Sequence, residues 1–110
     1  MSQVFYASHQ STTSEPFEVG TVQWLRRFGD NGNANLASGI WTISPDEAPG
    51  PFDLVIEQHE TIYIIEGHIR IEVEGGHTYE LTTGSMASLS PTTSTRWTIL
   101  APTTEFFVYS

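Results

Sequence analysis

The stretch that decides the fold is "QHETIYIIEGHIRIEV", Gln58 to Val73. Its second half alternates strictly. Ile69, Ile71 and Val73 fall on one face, and His68, Arg70 and Glu72 on the other, with Glu74 continuing the polar row. A period of two is the pattern of a half-buried β-strand. The first half, "ETIYIIEG" (60–67), is β-branched and aromatic, which suits a pleated surface. Gly67 reads as a break between the two, so the segment is expected to form strand, turn and strand. It also holds two of the four histidines in the chain. It is therefore either a metal-binding His/Glu site or a strand pair with charges on its wet side.

Working outward, Gly75–Gly76 marks a turn, and "HTYELTTG" (77–84), "SMASLSP" (85–91), "STRWTIL" (94–100) and "TEFFVYS" (105–110) read as further strands. Upstream, "LASGIWTISP" (36–45) is a strand ended by proline, "PDEAPGP" (45–51) a loop, and "FDLVIEQ" (52–58) strand-like. "TVQWLRRFGD" (21–30) fits a strand or a short helix, and "DNGNAN" (30–35) is a turn. Residues 1–20 are rich in Ser and Thr and are expected to form an arm or edge strand, leaving 21–110 as one domain. Turn signals recur at roughly the 8–12-residue spacing of an all-β sandwich or barrel. No long stretch keeps a helical period, so the fold class is all-β and mostly antiparallel.

A length of 110 residues suits one domain with one core. Thirteen acidic residues stand against four arginines, with no lysine, for a net charge of −9. That balance excludes phosphate-backbone binding, which needs a basic footprint, so no nucleic-acid partner is expected. It equally opposes docking on an anionic membrane. The missing lysine removes Schiff-base chemistry, and the missing cysteine removes disulfides, thiolate nucleophiles and zinc–cysteine sites. The N-terminus shows no signal-peptide pattern and no apolar run approaches the ~20 residues that cross a bilayer, so a cytoplasmic protein is expected.

In order, these marks resemble a family. "GIWTIS", "PGPF", Glu60 seven residues before Gly67, the Gly-bounded hairpin, the short strand from Gly84 to Pro91 and "RW" at 96–97 are similar to the small single-domain cupins. More narrowly, they resemble the group that includes the cupin parts of ureidoglycine aminohydrolase and the ethanolamine-utilisation cupin. The likeness covers roughly residues 36–110. It implies an RmlC-like double-stranded β-helix, or jelly roll, with two antiparallel sheets around one pocket. It also implies a homodimer, since cupins commonly share strands across sheet edges.

The resemblance further implies where a metal would sit. Metal-binding cupins read H-x-H, then glutamate, then glycine, with a third histidine in the second motif; imidazoles and one carboxylate suit a transition metal. Counted from Gly67, the glutamate position is Glu60, but the histidine positions fall on Leu54 and Ile56, and counted from Gly84 the third falls on Thr95. Two of these are aliphatic, so no standard metal site and no cofactor is expected. His59 neighbours Glu60 and should face the other way unless a bulge turns it inward. His68, His77 and His9 are scattered, without ligand spacing.

Strand parity from Glu60 places Leu54, Ile56 and Gln58 on its side, and parity from Thr95 adds Trp97 and Ile99. The expected pocket is Leu54, Ile56, Gln58, Glu60, Thr95, Trp97 and Trp41: mostly apolar, with a few polar groups that fix orientation. Tryptophans of this kind are more often plain core residues than ligand platforms. A carboxyl among Leu and Ile has a raised pKa unless it is paired, which would make Glu60 a general acid or base. The plainer reading has Glu60 hydrogen-bonded to Thr95, Arg96 or a buried water. These residues point to a cupin that binds a small polar metabolite. The alternatives are an isomerase or lyase using Glu60, a metalloenzyme with an unusual shell including His59, and a purely structural dimeric module.

Overall fold

The computed structural model describes residues 4–10 and 13–110. Eight strands follow in order: β1 (Glu15–Pro16), β2 (Thr21–Arg26), β3 (Ala37–Ile43), β4 (Phe52–Val55), β5 (Glu60–Val73), β6 (Thr78–Thr82), β7 (Met86–Leu89) and β8 (Ser94–Tyr109). A single 3-10 turn at Asp30–Gly32 links β2 to β3, where the composition indicated a turn. All pairings are antiparallel, in the order β1-β2-β3-β8-β5-β6, with β4 added on β8 and β7 on β5. This is the jelly roll expected from the sequence. Of the two readings for 21–30, the strand is the one that forms, and Glu15–Pro16 adds a short edge strand to it. The first three residues of the proposed arm, and residues 11–12, lie outside the described part.

Two long strands, β5 and β8, run the length of the domain and belong to both walls. The near half of β8 pairs with β4 and the far half with β3, while β5 follows it along both. The expected strand, turn and strand at 58–73 is corrected here. β5 is one continuous strand of 14 residues, and its register against β8 shifts between Ile64 and Ile69. Gly67 is the residue that allows this bulge. Its φ is 127°, and a Cβ there would lie 2.6 Å from Thr103 Cα and 2.7 Å from the Pro102 carbonyl oxygen. Only glycine fits both the angle and the space. Thr103 fills the facing position: its hydroxyl accepts from the His68 backbone N–H at 3.2 Å and donates to the Ala101 carbonyl at 2.9 Å.

The alternation read from the sequence then sorts the side chains. Ile62, Ile64, Ile69 and Ile71 of β5 and Trp97, Ile99 and Phe107 of β8 are buried. They pack with Val22, Trp41, Ile43, Ile56, Leu81 and Leu89 into one core. Burying each such side chain contributes about 1.5–3 kcal/mol. On the wet face, Glu80 binds both His68 (2.7 Å) and Arg70 (2.6 Å). Arg96 turns outward and pairs with Asp53 of β4 at 2.9 Å. Glu72 and Glu74 stay on that polar side, as the alternation implied. Among the described residues, no helix is long and apolar enough to cross a membrane.

Candidate functional site

At the end of the domain where the far half of β8 meets the first half of β5, the core opens into a cavity of about 400 Å3. Its wall includes Leu54, Ile56, Gln58, Glu60, Trp97 and Trp41, six of the seven residues of the expected pocket. Thr95 is the exception. It is buried, but its hydroxyl donates to the Leu54 carbonyl at 2.6 Å and accepts from the Trp97 indole N–H at 2.8 Å. Thr95 therefore braces Trp97 from behind and does not face the cavity. Its parity is the expected one, shared with its register partner Leu54, but its hydroxyl is taken up by Leu54 and Trp97.

Aromatic residues dominate the wall. Trp24, Phe28, Phe52, Phe107 and Tyr109 join the two tryptophans. Trp97 stacks on Phe52 with centroids 6.3 Å apart and meets the edge of Trp41 at 6.1 Å. Trp24 meets Phe107 edge-on at 5.6 Å, and Tyr109 stacks on Phe28 at 5.8 Å. The indole N–H of Trp41 donates to the Val19 carbonyl at 2.7 Å. Both indole donors of the inner wall are thus used by the protein, and the rings present carbon to the cavity.

Two carboxyl groups stand in this apolar wall. Glu60 is 7% exposed, and burial raises its pKa to about 7. Glu105, which the sequence reasoning missed, is 2% exposed. Burial, and then the charge of Glu60, push it well above the usual carboxylate range. Glu105 is flanked in register by Trp41 of β3 and Ile64 of β5. Its Oε2 atom is buried without a hydrogen-bond partner. The sequence carried a signal for it, since Glu105 keeps the parity of Trp97, Ile99 and Phe107 in one strand of 16 residues. Tyr109, opposite Glu60, is pushed up by burial and by the surrounding acids, led by Glu60. The bond expected from Glu60 to Thr95 or Arg96 does not form, because those groups are engaged elsewhere.

The cavity does not suit the metal of histidine-bearing cupins. The positions that would supply imidazoles hold Leu54, Ile56 and Thr95, and no histidine lines the wall among the described residues. No group of three or more His, Cys, Asp or Glu side chains converges among those residues. His59 is exposed and outside the cavity, its carbonyl accepting from the Ser110 N–H at 2.9 Å, so the inward-turned His59 of the unusual metal shell is not formed. His68 is held by Glu80, His77 packs edge-on near Tyr79 at 6.3 Å, and His9 is exposed.

An antiparallel double-stranded β-helix with one cavity between its walls defines the class: a small cupin. Within it, the EutQ-like cupin domain model matches residues 34–106, and the chain belongs to that family. Solved structures agree in fold. An RmlC-like cupin from Shewanella frigidimarina superimposes with a TM-score of 0.73 at 19% identity, covering 99% of this chain and 91% of the other. Ectoine synthase from P. lautus gives 0.72 at 21% identity, over 93% and 71%. A putative ethanolamine utilization protein q (EutQ) from Salmonella typhimurium gives 0.66 at 16%, over 81% and 67%. At these identities the likeness shows fold alone. No protein of curated function matches the chain.

Proposed function

We propose that this chain binds a small polar metabolite in the barrel cavity, without the histidine-based metal site of metal-binding cupins. The observation that carries this reading is the cavity itself: about 400 Å3, walled by aromatic rings, with the carboxyls of Glu60 and Glu105 in it. Pockets that hold metabolites combine a mostly apolar wall with a few polar groups. Elemental analysis of the purified protein tests the metal half of the proposal: no stoichiometric transition metal is expected, and one tightly bound metal per chain overturns it. Native mass spectrometry tests the other half, with a small organic adduct expected.

A second reading draws on Glu60, whose pKa of about 7 suits a group that both gives and takes a proton at neutral pH. In that reading the protein is an isomerase or lyase and Glu60 is its acid or base. Turnover that survives Glu60→Gln unchanged removes it. As protein partner we assign a second copy of the chain. Tyr63 and Met86, paired across β5 and β7, are 40% and 75% exposed and give an apolar outer surface. Light scattering that returns a monomer mass at micromolar concentration contradicts this.

A further inference from the structure

The cavity wall is unbalanced in its chemistry. Glu18, Asp53, Glu57, Glu60 and Glu105 line it, and among the described residues no Lys, Arg or His does. The two arginines adjacent in sequence to lining residues are already paired with acids, Arg96 with Asp53 and Arg27, which lies over the Trp24 ring, with Glu15. The indole N–H groups of Trp41 and Trp97 are both taken by protein acceptors, the Val19 carbonyl and the Thr95 hydroxyl. What the wall offers a cation is carboxylate acceptors and ring surfaces; its donors are the Gln58 amide, the Trp24 indole N–H, the Tyr109 hydroxyl and, while protonated, the carboxyls of Glu60 and Glu105. The acceptor set includes one atom that nothing in the protein satisfies, Glu105 Oε2, on a side chain 2% exposed. A buried acceptor left without a donor costs about 1–3 kcal/mol, and a ligand donor removes that cost.

We infer that the cavity selects a small organic cation, an alkylammonium group whose N–H atoms reach Glu60 and Glu105 and whose carbons lie against Trp41, Trp97 and Phe107. The inference rests on the metabolite-binding reading above and names the ligand class for it. Ring faces attract cations, and more strongly where water is excluded. The two carboxyls supply the countercharge. With Asp53 paired to Arg96, an anion would meet Glu18, Glu57, Glu60 and Glu105 and no basic side chain of the wall, so the same wall rejects carboxylates and phosphates.

Protonation is part of this inference. In the empty cavity, burial favours the neutral form of both carboxyls. A bound cation favours the ionised form, so binding expels a proton to solvent. Affinity then rises with pH through the titration of Glu60 near 7. Burial is what raises Glu60; the titratable groups set around it are Tyr109, its register partner, and Glu105 of β8, with Glu18 and Glu57 in the same wall.

The test uses the full chain and three probes of similar size: n-butylammonium, 1-pentanol and butyrate, titrated by tryptophan fluorescence and by calorimetry in two buffers of different ionisation enthalpy. The expected result is binding of the ammonium at least about tenfold tighter than the alcohol, a difference of about 1.4 kcal/mol. Proton release and no binding of butyrate are expected with it. Glu105→Gln, which keeps shape and removes the charge, weakens the ammonium and leaves the alcohol unchanged. Glu60→Gln does the same and serves if the first variant folds poorly by circular dichroism. Equal binding of ammonium and alcohol, or preference for butyrate, overturns the cation inference and leaves the metabolite-binding reading standing. No binding of any probe overturns both.

Discussion

The two ends of the β5–β8 pair are built on one alternation and come out different. Beyond the bulge, inward positions hold Ile69 and Ile71 against Ile99 and Trp97, all buried, and of these only Trp97 reaches the cavity wall. Before it, inward positions hold Glu60, Ile62 and Ile64 against Tyr109, Phe107 and Glu105, and the space opens into the cavity. The backbone pattern is the same, so the cavity comes from the choice of side chain at inward positions. Two carboxyls placed where aliphatics would pack are a cost to the fold. A cost of that kind, confined to one end, marks that end as the working one.

The comparison depends first on the bulge that joins the two ends. Gly67→Ala places a Cβ against Thr103 and Pro102 at a φ of 127°. Strain and overpacking together should cost at least about 3 kcal/mol, read as a large fall in the urea midpoint. Wild-type stability would show that the bulge relaxes and the two ends are not fixed by it. Next, Ile69→Ala at the filled end should cost about 2–5 kcal/mol. Phe28→Ala at the cavity wall, where the ring is 44% exposed, should cost under about 1 kcal/mol. Similar losses at the two sites would erase the contrast between core and cavity.

The third prediction concerns pH. Glu60 titrates near 4.5 unfolded and near 7 folded. The native state therefore holds the proton more tightly. Its contribution to stability is full below pH 4.5 and is lost as pH rises through about 7. Glu105, whose carboxyl is also raised by burial, acts in the same direction. By proton linkage, Glu60 alone should make the protein less stable at pH 8 than at pH 5 by about 3 kcal/mol. Denaturation across that range checks it, and Glu60→Gln should flatten the curve. The smallest effect is expected on the outer face. Arg70→Ala, which breaks an exposed pair with Glu80, should change stability by less than about 1 kcal/mol.

Much of the filled end was legible in the sequence, because a strict period of two names its own buried face. The strand assignments, the family and the inward parity of Leu54, Ile56, Gln58 and Glu60 all follow from local pattern. Three features needed long-range pairing. Gly67 looked like a turn because positive φ serves turns and bulges alike, and only the facing Thr103 tells them apart. Thr95 kept the right parity, but its hydroxyl is bonded to Leu54 and Trp97. Glu105 sat in "TEFFVY" as one acidic residue among aromatics, with nothing local to say that β3 and β5 would enclose it on both sides.

A crystal structure of the purified protein, with anomalous data collected across transition-metal edges, bears on the cavity without intermediaries. Density for a small organic molecule between Trp41, Trp97, Glu60 and Glu105 is expected, with no anomalous peak beside Glu60. A metal ion ligated by Glu60, or a cavity filled by the protein's own side chains, would refute metabolite binding at this site.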